Sequence, residues 1–245
     1  MRLRAVLATG ALAVVAACTD ATTSEMRRSE PAAPAPAPST APTTTAAPPM
    51  TAAPPVFDGA VTPIDDTTRA RMSASWRPGC PVPLEELRLL TLDHWGYDGA
   101  EHPGELVVHA DHAQAVLGVF ATLFEARYPI ERVRLVDEYG GDDAASTRAN
   151  NTAGFNCRSV VGRPGAWSEH AFGRAIDLNP LVNPYALDPN LADPALAQYL
   201  DRSLDVPGMV RPGDRAVEAF AAIGWAWGGT WSDGPDYQHF SATGR

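Results

Sequence analysis

The 25 positions from Pro31 to Pro55 hold nine Pro, nine Ala and five Thr, and a stretch of that composition cannot join a packed core. It offers no apolar periodicity to bury and nothing to offset the entropy of being ordered. The folded part must lie on its C-terminal side. There the composition turns globular from about Ile64 onward, and strand-like and helical segments alternate without an internal repeat. One domain is the economical reading. The tract itself reads as a tether, reaching roughly 80 Å at about 3.1 Å per residue in an extended polyproline-like state.

Ahead of the tether, Arg2 and Arg4 precede an uncharged run from Ala5 to Ala17. A basic start and an apolar stretch too short to span a bilayer read as a secretory signal. The run ends in Val15-Ala16-Ala17-Cys18, which resembles the lipobox of bacterial lipoproteins. That resemblance implies a diacylglyceryl group on Cys18 and a mature chain beginning there. The other reading is an ordinary signal peptide with a Cys by coincidence. The expected division is a signal peptide over 1–17, a lipidated N-terminus and linker over 18–60, and a single domain over 61–245. With Cys18 given to lipid, Cys80 and Cys157 remain, an even pair in an oxidising compartment, so a disulfide between them is expected. A catalytic Cys would need a base nearby, and the sequence leaves that alternative open.

All 19 basic side chains are Arg, because the chain has no Lys. A Ser-x-x-Lys peptidase, a P-loop nucleotide site and a Schiff-base enzyme each need a Lys amine, so none of them is present. The formal charge of -10 argues against nucleic acid, and against an anionic membrane held by charge. Any membrane attachment is expected only through the lipid on Cys18.

In the folded part, Leu87 to Asp93 and Glu105 to His109 have strand character, separated by the turn-rich Gly96-Tyr97-Asp98-Gly99 and Pro103-Gly104. Asp111 is placed to cap a helix with Val116, Phe120, Leu123 and Phe124 on one face, ended by Pro129. A third strand is expected over Val133 to Tyr139, up to a break at Gly140-Gly141. Helices are expected from about Pro194 to Arg202 and from Asp214 to Ile223, the latter burying Val217, Phe220 and Ala221. In Gly224-Trp225-Ala226-Trp227-Gly228-Gly229-Thr230-Trp231 a strand would set Trp225 and Trp227 on one face. They would serve as a substrate wall or as aromatic core under a tight turn. The order of elements suggests an α+β fold, a small antiparallel sheet with flanking helices.

Of the six His, 94 and 102 sit in turn-rich sequence with no ligand-like companion, and 109 and 112 lie where a strand meets a helix start. His170 stands in Ser168-Glu169-His170-Ala171-Phe172-Gly173-Arg174-Ala175-Ile176-Asp177. Its imidazole can meet the Asp177 carboxylate if the chain turns at Gly173 and enters a strand at Ala175. Imidazole and carboxylate are natural zinc donors, and Asp236-Tyr237-Gln238-His239 supplies a third ligand, an imidazole with a carboxylate three residues before it. Taken singly, these residues could as well be turn, cap or core groups. The two motifs together favour a metal site.

Ser168-x-His170-x-x-Gly173-x-Ala175-x-Asp177 resembles the zinc signature of the VanY-like D-alanyl-D-alanine carboxypeptidases, and Asp236-x-x-His239 resembles their second motif. The likeness extends over about Cys80 to Phe240, with Asn150-Asn151-Thr152 and Phe155-Asn156-Cys157-Arg158. It implies a hedgehog/D,D-peptidase-like domain in which His170, Asp177 and His239 hold one zinc ion. Asp236 would be the general base toward water on that zinc, and Arg158 a cation beside the scissile carbonyl. Ser168 would support the first motif, and Ser168, Trp227 and Tyr237 are candidates for touching substrate. The implied function is hydrolysis of peptidoglycan stem peptides by an extracytoplasmic lipoprotein facing the cell wall, with D-alanyl-D-alanine carboxypeptidase as the first reading. Many carboxypeptidases of the family have Glu where this chain has Asp236, and related endopeptidases can use Asp, so an internal cut is an alternative. A zinc-stabilised wall-binding module without turnover is another; a fourth protein ligand such as His109 or His112 would favour it. A serine hydrolase has little support, since Gly-x-Ser-x-Gly is absent.

Overall fold

The computed structural model describes residues 55–245. The expected signal peptide, the lipidation site Cys18 and nearly all of the Pro/Ala/Thr tract lie outside the described residues. The folded part is α+β with small antiparallel sheets, as expected. Among the described residues no helix is long and apolar enough to cross a membrane.

Strand β1 (Gly59–Pro63) precedes a short helix, α1 (Asp66–Arg71), and the hairpin β2 (Leu87–Trp95) and β3 (Glu101–His109) follows. The three strands form an antiparallel sheet in the order β1-β2-β3. β1 begins two residues ahead of the expected domain start at 61 and carries too few apolar residues to announce itself. The Pro103-Gly104 turn expected from sequence is instead part of β3, paired with Asp93 and Leu92. β3 is an edge strand of its sheet, where a residue without N–H is tolerated. Gly104 is there for closeness: a β-carbon would sit 2.7 Å from Cβ of Val133.

Period-2 alternation covers this sheet on both faces. Leu90, Leu92, Leu106 and Val108 turn toward helix α2 (Ala110–Glu125), meeting Val116, Phe120 and Leu123. Leu87, Leu89 and Val107 turn the other way, onto Met72, Leu135, Phe155 and Cys157. Each such side chain contributes about 1.5–3 kcal/mol by leaving water. α2 starts directly from β3, so its cap is not Asp111 as expected but His109, whose Nδ1 accepts from the Asp111 N–H at 3.2 Å. The helix ends at Glu125, ahead of Pro129.

Past α2, the expected strand from Val133 to Tyr139 is cut to two residues, β4 (Arg132–Val133), followed by a 3-10 turn over Val136–Tyr139. The reason is a distant partner: the Asp137 carboxylate accepts from the N–H groups of Ala74 and Ser75, both at 2.8 Å, which bends the segment toward that loop. Gly140 and Gly141 do break the chain, both in the left-handed region (φ 68° and 75°). Helix α3 (Asp143–Arg148) leads to β5 (Asn151–Thr152), which pairs in parallel with β4. Then come the hairpin β6 (Ser159–Val160) and β7 (Arg163–Trp167), and β8 (Ala175–Asp177). The expected helix at Pro194 is a single turn, α4 (Pro194–Ala197), continued as 3-10 to Leu200. α5 (Arg215–Ala222) is capped by Asp214 and buries Ala216, Ala219 and Phe220. Ala221, expected inside, is exposed, because helical spacing sets 216, 219 and 220 on one face. β9 (Ala226–Trp227) and β10 (His239–Ser241) join β8 in a second antiparallel sheet, ordered β8-β10-β9.

Cys80 and Cys157 are joined in a disulfide across 77 positions. The Cys157 N–H also donates to the Ser75 carbonyl at 2.9 Å, and Arg77 Nη1 donates to the Cys157 carbonyl at 2.9 Å. Replacing both cysteines by Ser is expected to lower the unfolding free energy by about 2–4 kcal/mol. Urea denaturation reads that loss as a lower midpoint, and thiol titration of the unreduced parent is expected to find neither cysteine free.

Candidate active site

Asp177 ends β8 and His239 opens β10, and the two are direct partners in the antiparallel ladder. One step along, Ile176 and Phe240 also face each other, both fully buried. Alternation therefore sends 176 and 240 into the core and 177 and 239 to the opposite face. His170 arrives from a 3-10 turn over Glu169–Phe172. Ser168 caps that turn, its Oγ accepting from the His170 N–H at 3.3 Å, and Gly173 closes it in the left-handed region (φ 65°). A β-carbon at 173 would meet the His109 nitrogen at 2.5 Å, so only glycine lets the chain turn there and run on into β8.

The three donors converge. His170 Nε2 lies 3.2 Å from Asp177 Oδ2 and 3.3 Å from His239 Nδ1, and His239 Nδ1 lies 3.0 Å from Asp177 Oδ1. On its far side the His170 Nδ1–H donates to the Gly154 carbonyl at 2.7 Å, which fixes the tautomer and turns a bare Nε2 toward the cluster. Burial alone would hold the His170 imidazole neutral and the Asp177 carboxyl protonated. Each offsets the other, so His170 is raised and Asp177, helped by His239, sits well below the usual carboxylate range.

This set fits zinc. Bonds of about 2.0–2.1 Å in tetrahedral array place neighbouring donors about 3.3 Å apart, close to the spacings here. Two imidazole nitrogens and one carboxylate oxygen are the donor types zinc takes, and three protein ligands leave a coordination position free, as in catalytic rather than structural sites. Neither His109 nor His112 joins the group. His109 is spent capping α2, and the His112 ring packs edge-on to Trp225.

Beside the donors lies Asp236, whose buried Oδ1 has no hydrogen-bond partner among the described residues. Burial pushes its carboxyl up to about 7; His239 opposes the shift and Asp177 adds to it. The segment is seated on Gly228, where a β-carbon would lie 2.8 Å from the Asp236 carbonyl oxygen and 3.3 Å from Cβ of His239. Arg158 follows the disulfide-bonded Cys157, and its side chain is paired with Asp143.

The remaining sequence candidates are placed differently. Ser168 is a buried cap, consistent with the supporting role. Trp227 is 6% exposed, packed in the core with its indole N–H donating to the Tyr237 carbonyl at 2.8 Å. It has little face left for a substrate, and the aromatic-core reading replaces the substrate wall for both Trp225 and Trp227. Tyr237 is half-buried, with the Arg202 guanidinium stacked 4.3 Å from its ring. Sequence reasoning missed Gly154, which acts through a carbonyl and leaves no side-chain signal. It also missed Asp143, one of two adjacent acids after a Gly-Gly break. Asp142 is the helix cap, so pairing of the second acid was the available hint.

Neither a curated protein nor a solved structure matches the chain. Residues 161–242 match the family model described as D-alanyl-D-alanine carboxypeptidase. The matched segment holds His170, Asp177, Asp236 and His239 and begins after Arg158. The match supports a hydrolase of the peptidase class, and over these residues the resemblance carried by the two motifs is borne out.

Proposed function

We propose that the chain is an extracytoplasmic zinc metallopeptidase that hydrolyses an amide bond in peptidoglycan stem peptides next to D-Ala, as a D-alanyl-D-alanine carboxypeptidase does. Cys18 and the tether would hold it at the membrane within reach of the wall. The observation that carries this is the convergence of His170, Asp177 and His239 beside Asp236, whose buried Oδ1 has no partner among the described residues, inside the segment that matches the family.

Held by those three side chains, zinc would supply a Lewis acid that polarises the scissile carbonyl and lets water attack near neutral pH. Asp236 takes one proton from the attacking water as its oxygen adds to the carbonyl carbon. It then gives that proton to the amine nitrogen as the C–N bond breaks, so the carboxylate is regenerated. An Asp236 carboxylate with one buried oxygen left without a protein partner among the described residues is free to take and return that proton. Arg158 carries a permanent charge with several donors, able to stabilise a developing oxyanion or hold a substrate carboxylate.

An internal cut in a cross-linked stem is the second reading. It is favoured by Asp in the base position and by the β6–β7 hairpin, which leads directly into Ser168 and exposes Val161 (52%) and Trp167 (38%). An extended peptide could lie against that hairpin.

The full chain loaded with zinc is expected to release a single D-Ala from a defined pentapeptide, seen by mass spectrometry and abolished by chelator. An internal product would move the assignment to the endopeptidase, and no product from any wall fragment would move it to the binding module. His170→Ala is expected to lose metal and hydrolysis together, because two ligands hold zinc poorly. Asp236→Asn should keep one zinc per chain while kcat falls by about 10²- to 10⁴-fold; full activity in that variant would remove Asp236 as the base.

A further inference from the structure

We infer that Asp143 is the positioning residue for Arg158, fixing which edge of its guanidinium faces the metal cluster. The inference rests on the peptidase reading above and adds a residue outside the matched segment.

Two acids stand together at the start of α3, and only the first is used by the helix. Asp142 caps it, accepting from the N–H groups of Ala144 and Ala145 at 2.9 and 3.3 Å, which leaves the Asp143 carboxylate available for another task. One of its oxygens, Oδ1, accepts from Asn156 Nδ2 at 2.7 Å, and the other, Oδ2, is ion-paired with Arg158 Nε. Asn156 is itself buried, and its backbone N–H donates to the carbonyl of His170 at 3.2 Å. A continuous path therefore runs from a metal-site residue to the arginine: the His170 carbonyl, Asn156, Asp143, Arg158. The disulfide at Cys157 pins the chain between Asn156 and Arg158.

The arginine is held at two points. Nε lies against the Asp143 carboxylate as an ion pair without hydrogen-bond geometry, and Nη1, on the other side of the guanidinium, donates to the neighbouring Ser159 carbonyl at 3.3 Å. Nη2 has no protein partner among the described residues. A guanidinium is rigid and planar, so anchoring Nε and Nη1 fixes where the Nη2 donors point. The Arg158 backbone carbonyl accepts from the Ser168 N–H at 3.1 Å, two residues before His170, which seats Arg158 against the turn that presents that imidazole. A partly exposed ion pair is worth only about 0–1 kcal/mol to stability. The return for keeping Asp143, with a buried amide aiming it, is orientation.

The test is a double-mutant cycle with the full-length, zinc-loaded chain on a defined stem pentapeptide, reading kcat/KM. Asp143→Asn keeps an acceptor for Asn156 and removes the charge that holds Arg158. It is expected to lower kcat/KM about tenfold or more, since a small misplacement of a catalytic group carries a cost of that order. In an Arg158→Ala background the same change is expected to cost nothing further, because Asp143 acts only through the arginine. Zinc content and the urea midpoint should stay at the parent values in all three variants. Losses that multiply in the double mutant, an unchanged kcat/KM in Asp143→Asn, or a midpoint that falls in step with activity would each overturn the inference. Should Asp143→Asn fail to fold, Asp143→Ser enters the same cycle. A parent chain inactive on every wall fragment would refute the peptidase reading, and the inference with it. An active parent with multiplying losses would remove the inference alone.

Discussion

The pairing of β8 with β10 is the constraint on which the site depends. It joins residues 62 positions apart and sets His239 opposite Asp177, and a slip of one residue would turn both to the other face of the sheet. What prevents the slip is apolar. Phe240 is fully buried and stacks on Phe220 at 4.2 Å, and Ile176 faces it across the ladder, also fully buried. Moving either to the polar face would expose a side chain worth about 1.5–3 kcal/mol in the core. The candidate metal donors Asp177 and His239 thus take their register from hydrophobic neighbours one step away on each strand.

The same packing sustains an arrangement that is unfavourable by itself. A buried carboxyl oxygen without a partner, as at Asp236, costs about 1–3 kcal/mol. In a domain whose net stability is of the order of 5–15 kcal/mol this is a real fraction. The two-faced packing of the first sheet and the Cys80–Cys157 bridge offset it. A carboxyl with one buried oxygen left without a protein partner among the described residues keeps a lone pair free to exchange a proton with a substrate, which a fully satisfied carboxylate would not do.

Where a structure follows from short-range chemistry, the sequence was legible. The turn at Gly173 and entry into a strand at Ala175 came from glycine and spacing. The apolar face of α2 came from its period, and the Cys80–Cys157 pair from counting. The elements misread are those decided by distant partners. Pro103 and Gly104 look like a turn until Val133 is found against Gly104, and Val133–Tyr139 looks like a strand until Asp137 is found bonded to residues 74 and 75. The cap of α2 passed to His109 because β3 runs into the helix without a loop, a geometry that local propensity does not encode. Asp143 belongs with these: its role exists only once α3 is folded back beside Asn156 and Arg158.

The aromatic and glycine-rich run from Gly224 to Trp231 gains its meaning from the same kind of distant contact. Read alone, two tryptophans beside two glycines suggest a surface for a ligand. In the fold, Trp227 pairs with Phe240 in the ladder and its indole holds the Tyr237 carbonyl, while Gly228 leaves room for the Asp236 backbone and accepts the Asp236 N–H at 3.0 Å. The run is a mould for the second motif rather than a wall for substrate. Asp reaches one methylene less far than Glu, so a chain with Asp as its base depends more heavily on where the backbone is set. The tight seat on Gly228 therefore bears directly on Asp236, the proposed base, as well as on His239, the candidate metal ligand that follows it.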